Sequence, residues 1–366
     1  MFFLIAWILV FLFTNFCFPK NKKVFMISLL GMAILFAFGH DNADYLNYAR
    51  EYSDSIIMNW DDPEPIWILI MHICNILGMS FSLFKGLIFL VSMLLIFKTV
   101  VSITDDVNIV LTMYFLYPFI IDATQIRNFF AMSILCYSLR YLASRRKIDV
   151  IKYIISIFLA YGVHNIFIIY LVLIFTKIID FKKAIIATFV VFVGLIAMFK
   201  MLPILVLKFF GNYHDGMAHT TKYVVKDTVS VVMILALVIF YVATVVGIIW
   251  ANKQIQEMYD LNECSMDKLN YIQNLSKCIL LMSLSFLLNI YSMDFARVLR
   301  NILVIEYSIL VFVINNNTRH SYIKEKLIIL SVVCYGCWVF IYYPYSDTVF
   351  YPLFTHNYVY EYLTFG

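Results

Sequence analysis

Apolar stretches of about 15 to 22 residues recur from one end of this chain to the other, each close to the ~20 residues a helix needs to cross a bilayer's hydrocarbon core. That pattern leaves few folds open. Lipid offers no water to exposed backbone N–H and C=O groups, so only helices and closed barrels can span it. The stretches are continuous, not alternating, which excludes the barrel pattern. Hydrophobic residues fill 63% of the 366 positions and charged residues 14%, too few for a separate soluble domain. The reading is therefore a single integral-membrane domain over residues 1–366, all-α and polytopic. Met1 to Phe18 has no basic leader and reads as a first span, not a cleaved signal. The seven cysteines lie mostly inside apolar runs and read as packing residues. Cys334 and Cys337 form a C-x-x-C without the strand-turn-helix setting of a redox motif.

The few charges orient the chain. Lys20, Lys22 and Lys23 follow the first run and belong inside, which puts the N-terminus outside. His40 to Glu64 then faces outward, and its seven acids against one base, Arg50, suit that side. Further inner anchors are Arg145 to Lys147, Lys182 with Lys183, and Arg319, Lys324 and Lys326, with Asn252 to Asn270 also inside. Spans are expected near Asn108–Ile121, Asn128–Ala143, Val150–Gly162, Ile166–Ile179, Ala184–Phe199, Val229–Trp250, Ile272–Ile290, Ile302–Ile314 and Leu327–Tyr342. Three apolar runs lie between Glu64 and Gln125, both placed outside, and an odd number of crossings is impossible. The shortest, Pro65 to Gly78, is accordingly read as re-entrant or peripheral. That leaves about twelve transmembrane helices with both termini outside. No internal repeat is visible.

Polar residues at the outer helix ends carry the candidate chemistry. Tyr45, Tyr48 and Tyr52, at i, i+3 and i+7, would share one face of a short helix, with Asp41 and Asp44 as neighbours beside them. An aromatic face next to carboxylates suits a sugar, but the same residues also make an interfacial belt with solvated acids. Arg127 opens a span on the outer side, where arginine is unusual. A guanidinium fork matches phosphate oxygens; a salt bridge to Asp122 or a snorkelling side chain is the plainer account. His164, at a break between two runs, could act as acid, base or hydrogen-bond donor, and a lone histidine in a helical hairpin is more often a structural donor. Arg297 and Arg300 at i, i+3 would present two cations to one anion, unless they pair with Asp294 or Glu306. The outer loop 211–228 holds Tyr213, His214, Asp215 and His219; the spacing matches no standard metal site, so it reads as an acceptor-binding or lid loop. Nothing resembles a nucleotide-binding loop or a serine-hydrolase elbow, and no cofactor, metal or nucleic acid is expected.

Asp44-Tyr45-x-x-Tyr48, Glu64-Pro65, Gln125-Ile126-Arg127-Asn128, Ala160-x-x-x-His164, Phe295-Ala296-Arg297 and Pro344-Tyr345 follow one another in this order. Together they resemble the EpsG family, the Wzy-like polymerases of bacterial exopolysaccharide and O-antigen synthesis. The chain departs from the family's wording at Asn165, where a small hydroxyl residue is usual, and at Asn42-Ala43. The resemblance implies a fold like the C superfamily of membrane glycosyltransferases, in the bacterial cytoplasmic membrane with its active site facing outward. It implies a polymerase that moves a growing glycan from undecaprenyl diphosphate to the non-reducing end of a lipid-linked repeat unit. Arg127 and Arg297, with Arg300 in support, would hold the diphosphate; Asp44, or alternatively His164, would be the base. Tyr45, Tyr48, Glu64 and Tyr213 would hold the acceptor sugar, in a cavity to which loops 40–64 and 211–228 contribute. Lipid-linked oligosaccharides are the expected partners, with a chain-length regulator as a further candidate. Two other classes compete: a transferase adding one sugar from a polyprenyl monophosphate, and a transporter of lipid-linked sugars. A transporter would be expected to show internal repeats and polar residues mid-span, neither of them clear here.

Overall fold

The computed structural model describes residues 2–57, 63–144, 146–197, 231–289, 295–316 and 323–365. Among the described residues the regular structure is helical, and the β feature is an isolated bridge between Gly39 and Asn357. Three helices are long and apolar enough to cross a membrane: Phe81–Ile103, Met233–Asp260 and Lys324–Thr355. Their outward faces are apolar too, as Leu83, Leu90 and Leu94 on one and Leu235, Ile239 and Val242 on another are all more than half exposed. Such faces call for a non-aqueous solvent.

Other expected spans are present as shorter apolar helices, including Val107–Asp122, Asn165–Lys177 and Leu303–Asn316. Length and composition alone therefore support three crossings among the described residues. The Pro65–Ile76 helix has 12 residues. At about 1.5 Å per residue it covers ~18 Å of a ~30 Å core. Asn165–Lys177 is wound as a 3₁₀ helix, whose ~2.0 Å rise stretches 13 residues further than an α-helix would. The polar segment from Asn252 to Asn270 is mostly helical. The helix Val231–Asp260 runs ten residues past Trp250, because Lys253, Gln254, Gln256 and Glu257 are good helix formers and Lys253 pairs with Glu257 at i, i+4. The chain then turns, and Ser265 caps the next helix, Met266–Met282, by accepting from the Lys268 N–H.

The helix Ile126–Ala143 lies at the centre. It is buried on almost every side, packing on Phe81–Ile103, Ile148–Val163 and Met266–Met282. Phe129 in its first turn meets Phe36 at 5.0 Å between ring centroids, and Phe36 meets Phe89 at 5.4 Å. Whatever is fixed at the start of this helix is held by the best-packed part of the molecule.

A close helix contact brings two candidate residues together. Gly162 near the end of Ile148–Val163 lets Ile66 approach, and an added Cβ would lie 2.6 Å from Ile66 Cδ1 and 2.7 Å from Cγ1. Glu64 sits two residues before Ile66, and His164 two residues after Gly162, so the contact sets their separation. Gly162→Ala is expected to cost about 1–3 kcal/mol as overpacking, read as a lower melting temperature in detergent. Ile66→Ala in the same chain should recover most of that loss. An unchanged melting temperature in Gly162→Ala would show that the two helices part freely.

Candidate active site

The loop that follows Gly39 is tied down before it reaches the site. Lys85, buried near the N-terminal end of Phe81–Ile103, donates to the Gly39 carbonyl and lies over the Tyr45 and Phe81 rings. The His40 N–H donates to the His356 carbonyl and the Ala43 N–H to that of Thr348, so the C-terminal segment braces the same loop. The chain then enters the helix Tyr45–Asp54, with Asp44 at its cap position.

The three tyrosines of this helix do not form an open platform. Tyr52 is buried, stacks on Phe84 and donates to the Met79 carbonyl; Tyr48 is buried against Trp67; Tyr45 meets Tyr358 hydroxyl to hydroxyl at 3.1 Å. That face is apolar ring surface with room to bury it, and the core takes it. The polar residues of the same helix, Asn47, Arg50, Glu51 and Asp54, turn to the cleft with Asp44 and Tyr48. Asp41 goes elsewhere. It lies before the helix with φ +55° and pairs with His40 at 2.8 Å, so Asp41 and Asp44 are not helical neighbours.

Glu64 is the hub. Its carboxylate is buried, and Oε1 accepts from the Asn165 N–H at 3.0 Å and lies 2.7 Å from His164 Nδ1. Its Oε2 lies 2.7 Å from Arg127 Nη1. Burial alone would push the Glu64 carboxyl up, but the His164 hydrogen bond, the Arg127 charge and the Asn165 N–H outweigh it and hold it below its ordinary value. His164 is pulled down, first by burial and further by Arg297 and Arg127, against the opposing pull of Glu64. At neutral pH the pair is thus a carboxylate and a neutral imidazole. Asn165 contributes its backbone N–H, which the hydroxyl residue usual at this position would supply equally.

Arg127 pairs with Glu64, not with Asp122. Glu51 lies 3.9 Å away on another side, and the Tyr48 ring sits 5.5 Å from the guanidinium carbon. Its Nε–H has no acceptor among the described residues. Burial keeps the Tyr48 phenol up at about 12, so it faces this cation as neutral O–H.

The second arginine segment is locked to the central helix. Asn128 and Asn301 exchange amide hydrogen bonds at 2.9 and 3.2 Å, and Asn301 also donates to Tyr170 Oη, which donates to the Val298 carbonyl. This network carries Arg297 to the cleft beside Arg127. It does not carry Arg300 there. Arg300 is buried, lies 3.6 Å from Asp122 Oδ1 and donates to Gln125 Oε1 at 2.5 Å. The expected shared face fails because the Ala296–Arg300 helix is a single short turn, pinned by Asn301 so that its two arginines point apart.

One cleft of about 480 Å³ gathers Asp44, Tyr48, Arg127, His164 and Arg297 from four separated stretches of chain. That volume lies within the range of small-molecule sites. Glu64, Tyr45 and Arg300 are not among its lining residues; Tyr213, the rest of loop 211–228 and Asp294 lie outside the described residues. Sequence reasoning missed Asn47, Arg50, Glu51, Asp54, Gln125 and Asn128 as lining. The helical period of Tyr45–Asp54 was the available signal: if 45, 48 and 52 face inward, 47, 50, 51 and 54 face out. Residues 22–362 match the EpsG family, nearly the full length of the chain. The chain belongs to the EpsG family. With that family come a place in the membrane and a glycosyltransferase-like role of the polysaccharide-polymerase type. No curated protein and no solved structure matches this EpsG-family chain.

Proposed function

We propose that this EpsG-family protein polymerises lipid-linked repeat units at the outer face of the bacterial cytoplasmic membrane. It would move a growing glycan from undecaprenyl diphosphate to the non-reducing sugar of a new lipid-linked unit. The observation that carries this reading is the meeting of Arg127 and Arg297 with His164 and Asp44 in one cleft, at the N-terminal end of the central helix. Two guanidinium groups and the positive end of a helix suit a diphosphate. As the C1–O bond to phosphate breaks, its electron pair goes to the leaving diphosphate, where Arg127 and Arg297 stabilise the developing charge. Arg127 has donors left for that task, since Glu64 engages one side of the fork and Glu51 only approaches another. The acceptor hydroxyl oxygen bonds to C1 and gives its proton to His164 or Asp44. No nucleotide is consumed, because the diphosphate supplies the driving force. The wall formed by Asp44, Asn47 and Tyr48 offers acceptors and a ring edge to the acceptor sugar.

The accompanying topology is about twelve crossings with both termini outside, in a fold like the C superfamily of membrane glycosyltransferases. A chain-length regulator is a candidate partner. Purified protein incubated with a synthetic undecaprenyl-diphosphate repeat unit, without nucleotide sugar, should make a product ladder. Addition of one sugar from a polyprenyl monophosphate, with no ladder, would replace the polymerase reading by the single-sugar transferase.

A further inference from the structure

The Glu64–His164 contact bears on the choice between the two candidate bases and on the role of Glu64. Glu64 Oε1 lies 2.7 Å from His164 Nδ1, and the same oxygen accepts the Asn165 N–H at 3.0 Å. A carboxylate only accepts, so Nδ1 must carry the proton. The neutral ring then holds its lone pair on Nε2, which has no hydrogen-bond partner among the described residues, while His164 lines the cleft. Asp44 also lines the cleft. Glu64 Oε2 meanwhile holds Arg127 Nη1 at 2.7 Å, so one buried carboxylate orients both the imidazole and the guanidinium.

We infer that Glu64 is a positioning residue that fixes His164 as the Nδ1–H tautomer, making Nε2 the base for the acceptor hydroxyl while aligning Arg127 on the leaving diphosphate. The base assignment rests on the polymerase reading; the tautomer does not. In the step itself, the acceptor O–H bond breaks as oxygen bonds to C1, and its proton goes to Nε2. The C1–O–phosphate bond breaks with its electrons to the diphosphate. The imidazolium so formed is stabilised by Glu64, the logic of every carboxylate-oriented histidine base.

Three charges act on His164 directly: Glu64 raises its proton affinity, while Arg127 and Arg297 lower it. Asp44, Arg50, Glu51 and Asp54 share the cleft. Removing the Glu64 charge must therefore make His164 easier to deprotonate. In Glu64→Gln, kcat should fall roughly 10²- to 10⁴-fold, and the acid limb of kcat/KM should move to lower pH. Glu64→Asp keeps the charge at shorter reach, so its limb should stay near the wild-type position while kcat drops. A merely structural role for Glu64 would lower the amount of active enzyme without moving the limb.

The tautomer is read without turnover. In full-length protein carrying ¹⁵N-histidine, with His164 assigned by its loss in His164→Gln, the ring nitrogens should report Nδ1–H and a bare Nε2 at neutral pH. The opposite tautomer, or an imidazolium at neutral pH, overturns the inference whether or not the protein polymerises. A Glu64→Gln acid limb at the wild-type position also overturns it. Absence of any ladder from wild-type protein, with the Nδ1–H tautomer observed, would instead overturn the polymerase reading and leave the positioning intact.

Discussion

Arg127→Lys is expected to lower polymerisation by roughly 10²- to 10³-fold, the usual loss when one donor to a developing oxyanion is removed. Protein in the membrane should remain at the wild-type amount. The reasons lie in the partners of this side chain. Lysine keeps a positive charge that can still meet Glu64 Oε2, now 2.7 Å from Nη1, so the buried carboxylate is not left alone. What lysine cannot do is face Glu64 with one edge and a ligand with another. Its ammonium is a point charge with three donors, whereas the guanidinium is a planar fork with five. Stacking on Tyr48, 5.5 Å from the guanidinium carbon, also depends on the plane. Arg127→Ala is a poorer test, since it leaves Glu64 buried without its cation and disturbs His164 as well. The measurements are ladder formation on purified lipid-linked units and quantitative immunoblotting of membranes. Wild-type chain lengths and rates in Arg127→Lys would remove Arg127 from the diphosphate site.

How much of this site could be read beforehand depends on the length scale of the information. Residues at helix ends announce themselves through charge in an apolar chain, and Asp44, Arg127, His164 and Arg297 were legible in that way. Their convergence was not. It depends on long-range contacts that no local pattern encodes: Gly162 against Ile66, and the Asn128–Asn301 amide pair across 173 residues of chain. The role of Glu64 was hidden for the same reason, because a Glu before a Pro at a helix start looks the same whether it meets sugar or a histidine 100 residues away. The tyrosines mislead differently. Their helical spacing is real, but spacing identifies a face and not what covers it, and here the core covers it. Helix lengths were least legible. Apolar runs mark what lipid tolerates, while caps such as Ser265, and the 3₁₀ winding of Asn165–Lys177, decide where each helix stops and how far it reaches.

Asp122→Leu is expected to destabilise the protein by about 3–5 kcal/mol, the cost of stranding one partner of a buried ion pair. Asp122 is fully buried and Arg300 nearly so. The two lie 3.6 Å apart, with Asp122 Oδ2 also accepting from the Tyr114 hydroxyl at 3.0 Å. Without Asp122 the guanidinium keeps, among the described residues, only Gln125 as an acceptor, and it cannot shed its proton. Arg300→Met should cost less, because a lone buried carboxyl can neutralise itself by taking up a proton. The double variant Asp122→Leu/Arg300→Met should recover most of the loss, since apolar groups of similar size often replace a buried pair without penalty. Thermal unfolding in detergent gives the stabilities, and the same preparations give the rates. If Arg300 serves the fold, the double variant polymerises within a few-fold of wild type, the remaining deficit reflecting a Gln125 that has lost its donor. If it folds to wild-type amounts yet polymerises as poorly as Arg127→Lys, Arg300 belongs with the diphosphate clamp. Its buried place against Asp122 and Gln125 would then have to open when substrate binds.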